Sequence, residues 1–451
     1  MSSFHGNWGQ PPPIPYASRP THQARRPSQA ELVAKNEHIM LINAVYYPNY
    51  RVYREDTPAS MNLSCISHVF YAFANVAPDG GVVLGDEWAD LQMPVDGSSG
   101  CLGSLMQLKA QHQHLKVILS IGGGGGSQHF ASVASSAVKR DNFGRSARGL
   151  VDASGFDGID IDWEHPSDAE QGRDFLALLA TIRLHLPDDQ YLLTAALPAG
   201  QWALQHINLF QAQDYLDLVN LMAYDFSGSW TPKSGHQAQL FATNPNQPST
   251  AAAVDYVLST GFPAAKILLG IPVYGRSFLG ASGPDQDYTG QGGEEGTFEY
   301  KELPRPGAQE AVDTTAVAAW CTGGDGGFIS YDNPETVRLK AKYVKDKRLG
   351  GLFYWTGTAD APPGVLLFCS MDGRSTINRH VQLYYQLNPP PLAASTALIT
   401  LESLHKFLVS VVSGDRLGSG IPRDRGTRAS MDRVGGDQGI HYSEAQIPTT
   451  E

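Results

Sequence analysis

Eight short, β-rich apolar runs recur between residues 41 and 355, most of them separated by segments of helical periodicity. They are 41–47 (LINAVYY), 68–75 (HVFYAFAN), 116–121 (KVILSI), 158–163 (GIDIDW), 191–197 (YLLTAAL), 216–224 (LDLVNLMAY), 266–273 (KILLGIPV) and 350–355 (GGLFYW). Near-continuous apolar strands joined by helical crossovers are what a parallel sheet covered on both faces requires. Eight is the count that closes such a sheet into an α/β fold of the (β/α)₈ TIM-barrel class. An open, doubly wound sheet is the structural alternative, but no Gly-rich dinucleotide turn follows the first run.

The crossovers carry their own signals. Within 168–186, Phe175, Leu178, Leu179, Ile182 and Leu186 repeat at helical spacing, and Pro187 ends the segment. A second helix is expected over 250–260, with Gly261 where a left-handed cap is wanted. The stretch from Val273 to Gly350 is far longer than one helix and its loops need, and 296–303 (GTFEYKEL) within it reads as strand. A small α+β subdomain inserted after strand seven, at 277–345, is therefore expected, walling one side of a groove. The catalytic barrel is expected over 39–412, with its last helix at 396–412 after an irregular 362–391. Residues 1–38 and 413–451, rich in Pro, Ser, Gln, Arg, Gly and Asp without apolar periodicity, read as a disordered arm and a disordered tail.

Composition narrows the partners. Apolar residues make up 42% of the chain, enough for a large core, and the formal charge is −12, with 33 basic and 45 acidic residues and no long run of either sign. Nucleic acid and anionic membranes are thereby disfavoured as partners, whereas a neutral polymer is indifferent to that charge. The four cysteines, Cys65, Cys101, Cys321 and Cys369, have no short paired spacing and read as separate thiols. With no apolar leader segment at the start and no long apolar run elsewhere, a soluble, cytoplasmic monomer without cofactor or metal is expected.

The sharpest motif is Asp157-Gly-Ile-Asp160-Ile-Asp162-Trp-Glu164. On an extended strand, Asp160, Asp162 and Glu164 share one face, while Ile159, Ile161 and Trp163 point toward the helix layer. Asp157 has the opposite parity, and its role reads as structural. Three carboxylates lined up in a poorly solvated barrel repel one another, so they coexist only if protons are shared and at least one pKa is raised. A strand end that holds a proton on a glutamic acid suits general acid catalysis near neutral pH. Strand-end capping would not place three acids on one face of an apolar strand. A divalent-cation site lacks the calcium-loop spacing and any accompanying His.

This octad resembles the DxxDxDxE signature of family 18 glycoside hydrolases, the chitinase family. Further landmarks follow in order: Ser120-Ile-Gly122-Gly123 is similar to the strand-three SxGG, Met222-Ala-Tyr224-Asp225 to the strand-six MxYD, and Tyr274-Gly-Arg276 to the strand-seven YGR. Trp355 falls where the family's strand-eight tryptophan floors the site. The resemblance covers roughly residues 40 to 360. It implies a chitinase that cleaves β-1,4 bonds between N-acetylglucosamine units, with Glu164 as the proton donor. It further implies that Asp162 pairs with Glu164 and then turns to the substrate's acetamido group, and that Asp160 shares a proton with Asp162. Tyr224 would bond the acetamido oxygen and Asp225 the sugar or its water. Tyr46 and Phe73 would surround the acetamido pocket and Trp355 would stack under the −1 sugar. Gly123, Met222, Tyr274, Trp230 and Arg276 complete the implied sugar contacts.

Two departures from the family pattern stand out. Many members place a tryptophan directly after SxGG, where this chain has Gly124, and Tyr50 takes the place of the usual aromatic after the first strand. Two rival functions share the fold: a chitin-oligosaccharide-binding lectin, which typically loses the acid glutamate, and an endo-β-N-acetylglucosaminidase acting on N-glycans, which usually lacks the strand-six tyrosine.

Overall fold

A computed structural model describes residues 41–362 and 364–366. The expected arm, the last helix at 396–412, the tail and Cys369 lie outside the described residues.

The eight apolar runs form eight parallel strands: β1 Ile42–Pro48, β2 His68–Val76, β3 Lys116–Gly122, β4 Gly158–Asp162, β5 Leu192–Pro198, β6 Leu218–Met222, β7 Ile267–Pro272 and β8 Gly351–Trp355. Each pairs with its sequence neighbours, and β1 pairs with both β2 (Ala44 with His68) and β8 (Ile42 with Gly351). The sheet is therefore closed, as the (β/α)₈ expectation requires. A short strand, Val82–Leu84, adds to β2 in antiparallel fashion outside the ring.

Strand alternation divides the core in two. Side chains of one parity, including Tyr46, Phe70, Ile118, Leu268 and Phe353, fill the barrel interior. Those of the other parity meet the helices: Ile159, Ile161 and Trp163 lie in one cluster with Phe175, Leu178, Leu179 and Ile182 of the helix Ala169–His185. That helix starts where the sequence caps it, because Asp168 accepts hydrogen bonds from Glu170 N and Gln171 N, each at 2.8 Å. Such a cap stabilises a helix by about 1 kcal/mol. The helix Thr250–Ser259 is capped by Ser249 and stops before Gly261, whose φ is +87°.

Between β7 and β8 the chain builds a second, antiparallel sheet. Its strands run in the order Thr297–Glu299, Tyr274–Phe278, Phe328–Tyr331, Ala318–Thr322 and Gln309–Asp313. This sheet begins at Tyr274, ahead of residue 277, since a single residue, Val273, separates it from β7. The helix Pro334–Lys347, which starts within 277–345 and runs two residues past it, is the crossover to β8 and packs against it. Among the described residues no helix is long and apolar enough to cross a membrane.

Candidate active site

The carboxylate row rises through the barrel from a fully buried floor to an open mouth. Asp160 is wholly buried and its two oxygens accept four bonds: from Tyr46 Oη and Ser120 Oγ at 2.8 Å each, from Thr194 Oγ1 at 2.6 Å and from Asn220 Nδ2 at 3.3 Å. The donors come from β1, β3, β5 and β6, so the residue ties the ring together. Burial pushes its carboxyl above the usual range, and the hydroxyl bonds only partly oppose this.

Asp162 lies two residues along, roughly 6.6 Å up the strand. It is 3% exposed, and its Oδ1 is buried with no hydrogen-bond partner among the described residues. Burial first, then the charges of Glu164 and Asp160, hold its carboxyl well above the usual range. Hydroxyl and amide donors thus occupy Asp160, while Asp162 feels the charges of the carboxyls on both sides of it.

Glu164 lies just past the end of β4 and faces the cavity. Its backbone N–H donates to Ser127 Oγ at 2.9 Å, and Gly123 N–H donates to Asp162 O at 2.8 Å, so the glycine run after β3 clasps the end of β4. Gly122 and Gly123 have φ of +114° and +77°, and a Cβ on Gly122 would stand 2.2 Å from Asp162 O. Burial and the charge of Asp225 raise the Glu164 carboxyl. Asp157 serves the opposite face: it accepts from Val117 N–H at 2.8 Å and pairs with Lys109 at 2.6 Å and Lys116 at 3.0 Å.

A cavity of about 1020 Å³ opens over the row. Asp162, Glu164, Tyr46, Phe73, Met222, Tyr224, Asp225, Trp230, Tyr274 and Trp355 all line it. Trp355 packs on Phe73 (ring centroids 5.7 Å, 26°) and Tyr46 (5.5 Å, 59°), forming an aromatic floor. Burial raises the Tyr224 phenol well above its usual value, so the phenol remains a donor at any ordinary pH. Asp225 has φ +59°, unusual for a residue with a side chain. Three bonds accompany that conformation: from Tyr274 Oη at 2.6 Å and from Arg276 Nε and Nη2 at 2.8 Å each.

Two expected sugar contacts, Gly123 and Arg276, do not line the cavity, nor does Asp160, which was expected to act through Asp162 rather than on the sugar. Asp160 lies beneath the cavity, enclosed by its donors. Gly123 is covered by the Phe73 ring, which a Cβ would meet at 2.7 Å, and contributes backbone support. Arg276 is turned to Asp225 and lies under Trp230, its guanidinium 4.6 Å from the ring centroid, so it positions those two residues. The cavity also gains residues that sequence reasoning did not single out: His165, Trp202, Phe226, Tyr256 and the segment 245–249. Among the described residues, no group of His, Cys, Asp and Glu could hold a metal ion.

A model of the glycosyl hydrolases family 18 matches residues 42–360, across both the barrel and the inserted sheet. The chain belongs to that family. Chitinase 1 of Aphanocladium album is 39% identical over 346 residues, 70% of this chain and 81% of that protein. The sporulation-specific chitinase 2 of Saccharomyces cerevisiae is 30% identical over 429 residues, 81% of this chain and 82% of its own length. Among solved structures, a family 18 chitinase from Cycas revoluta in complex with (GlcNAc)3 superposes with a TM-score of 0.66 at 29% identity, covering 73% of this chain and 99% of that one. The likeness thus spans the whole catalytic barrel of this family 18 hydrolase, insertion included.

Proposed function

We propose that this family 18 hydrolase is a chitinase that cleaves β-1,4 bonds between N-acetylglucosamine units with retention, using the substrate's own acetamido group as nucleophile. The observation that carries the reading is the graded row itself. A satisfied acid at the floor, an acid with an orphaned oxygen above it and, at the mouth, a glutamic acid whose pKa burial raises lie together beside an aromatic-floored cavity. Glu164 gives its proton to the glycosidic oxygen as the C1–O bond breaks, and the acetamido carbonyl oxygen of the −1 sugar closes on C1 to form an oxazolinium ion. The Glu164 carboxylate then takes a proton from the water that opens this ion. Family 18 departs from the usual two-carboxylate scheme in this respect. An intramolecular nucleophile needs only to be held in place, which gives it a large proximity advantage.

Holding it falls to two groups. The unpartnered Oδ1 of Asp162 is an acceptor for the acetamido N–H, and the Tyr224 phenol is a donor for its oxygen. Trp355 supplies the flat apolar surface beneath the sugar ring. The chitinase names of the relatives agree with this substrate. A monomer is the proposed working unit, and sedimentation would measure it.

Following chitohexaose cleavage by proton NMR tests the mechanism. The β-anomer at the new reducing ends before mutarotation is the expected result, and the α-anomer would rule out substrate assistance. Binding without cleavage would make the chain a lectin, and cleavage of N-glycan cores alone would make it an endo-β-N-acetylglucosaminidase.

A further inference from the structure

The inserted sheet has Thr297–Glu299 as an edge strand, three residues long, beside Tyr274–Phe278. Strands usually run to about five or six residues, so this edge has little pairing of its own. It matters nonetheless, because Glu299 stands opposite Tyr274, which lines the cavity. What holds the edge is charge. Arg51, in the 3₁₀ segment Asn49–Arg54 that follows β1, pairs with Asp56 at 2.5 Å and with Glu299. Lys301 pairs with the same two acids, at 3.3 Å and 2.8 Å, so cations and anions alternate around a closed ring. The Arg51 side chain is 8% exposed and those of Asp56 and Glu299 are each 20% exposed, so salt and water screen the ring less than a surface pair. Burial alone would raise the Glu299 carboxyl, but bonds from Arg51 and then Lys301 hold it below the usual range. The ring is also tied to the barrel. Tyr47 Oη of β1 donates to Asp56 O at 2.9 Å, and Lys301 Nζ donates to Thr358 O, just past β8, at 3.4 Å. A further pair, Arg54–Glu294, bridges the same two parts of the chain in the open, 52% and 66% exposed.

We infer that the Arg51–Asp56–Lys301–Glu299 ring is a latch that fastens the inserted sheet to the seam between β1 and β8 and so positions the groups around Glu164. The inference rests on the chitinase reading above. None of the four residues lines the cavity, so they act through others. The path is short. Glu299 and Thr297 pair with Tyr274 and Arg276, and those two side chains hold the Asp225 carboxylate by three bonds. Asp225 in turn acts by its charge on Glu164, so a shift of the edge strand is passed on to the acid. Removing Glu299 leaves Arg51 and Lys301 with Asp56 alone, and two largely desolvated cations on one anion repel each other. The aromatic floor is independent of the latch, because Trp355, Phe73 and Tyr46 pack on one another. Loss of the latch therefore disturbs the alignment of the acid more than the holding of the sugar.

The test compares Glu299→Gln, Arg51→Met, the double variant and the exposed-pair control Glu294→Gln with wild type on chitohexaose, kcat and KM being followed separately. Glu299→Gln and Arg51→Met are each expected to lower kcat roughly tenfold while KM stays within about twofold. The double variant should be no slower than the slower single, since both substitutions open one latch. Glu294→Gln should match wild type, as an exposed pair contributes little. An unchanged kcat in Glu299→Gln overturns the inference, and so does a double variant whose losses multiply. In parallel, hydrogen exchange by mass spectrometry is read on the strand Tyr274–Phe278, which none of the substitutions alters. Faster exchange there in Glu299→Gln than in wild type and Glu294→Gln supports the latch, and equal exchange overturns it. That readout needs no turnover. It judges the latch even if wild type cuts no chito-oligosaccharide and the chitinase reading falls.

Discussion

Asp160 and Asp162 sit two residues apart on one strand, point into the same barrel and are almost equally buried, but they are built for opposite purposes. The lower carboxyl is saturated by donors from four strands and can change partners only by breaking the barrel interior. The upper one has an oxygen with nothing to bond, at the edge of an open cavity. Burial raises both pKa values, so burial alone does not mark a reactive carboxyl. What marks it is unsatisfied capacity facing space for a ligand.

The predictions probe that contrast. Glu164→Gln leaves the row in place without its proton donor, and chitohexaose turnover is expected to fall by roughly 10²–10⁴-fold with the thermal midpoint preserved. Retained turnover would deny Glu164 its role. Asp160→Ala strands four donors and is expected to cost about 3–5 kcal/mol in urea unfolding, whereas Asp162→Asn should stay within about 1 kcal/mol. Equal losses would erase the distinction. The sign of the pH dependence follows from the raised Asp162 pKa. Stability from the protonated carboxyl is complete below the unfolded value near 3.9 and is lost as pH rises through the folded value. Asp162→Asn should therefore gain on wild type as pH rises through that window, read by unfolding midpoints at several pH values.

Smaller effects sharpen the picture. Tyr46 Oη donates to Asp160 and accepts from Asn220 Nδ2 at 2.7 Å, so Tyr46→Phe should cost about 1–2 kcal/mol of stability, measured the same way. The smallest effect is electrostatic. Because the charge of Asp225 helps to raise Glu164, Asp225→Asn should move the basic limb of kcat/KM toward lower pH, and a limb that stays put would argue against that coupling.

Much of this was legible in the sequence, and the reason is locality. Period-two alternation alone puts Asp160, Asp162 and Glu164 on one face, and eight apolar runs announce the ring. Contacts made across the ring were not legible. Arg276 carries a charge suited to sugar hydroxyls, but nothing in 274–276 says that its fork closes on Asp225, which lies fifty-one residues earlier. Likewise the donors to Asp160 are spread from Tyr46 to Asn220, and only closure of the barrel gathers them. Trp202 was missed although a signal existed. Like Glu164, Tyr224 and Trp355, it belongs to the chain at or just past the C-terminal end of a barrel strand, where such enzymes keep their working residues.

The inserted sheet has one more consequence. Its strand Tyr274–Phe278 leaves β7 after a single residue, and Val273 is itself bonded through N–H to Trp355 O and through its carbonyl to Tyr300 N–H. The junction has no slack, so the root of the inserted sheet, where Tyr274 lines the cavity, is registered to the Trp355 floor. The outer strands Ala318–Thr322 and Gln309–Asp313 hang from that fixed root, one and two places beyond Phe328–Tyr331. Changes in this fringe can therefore leave Tyr274 and Trp355, which line the cavity, in alignment.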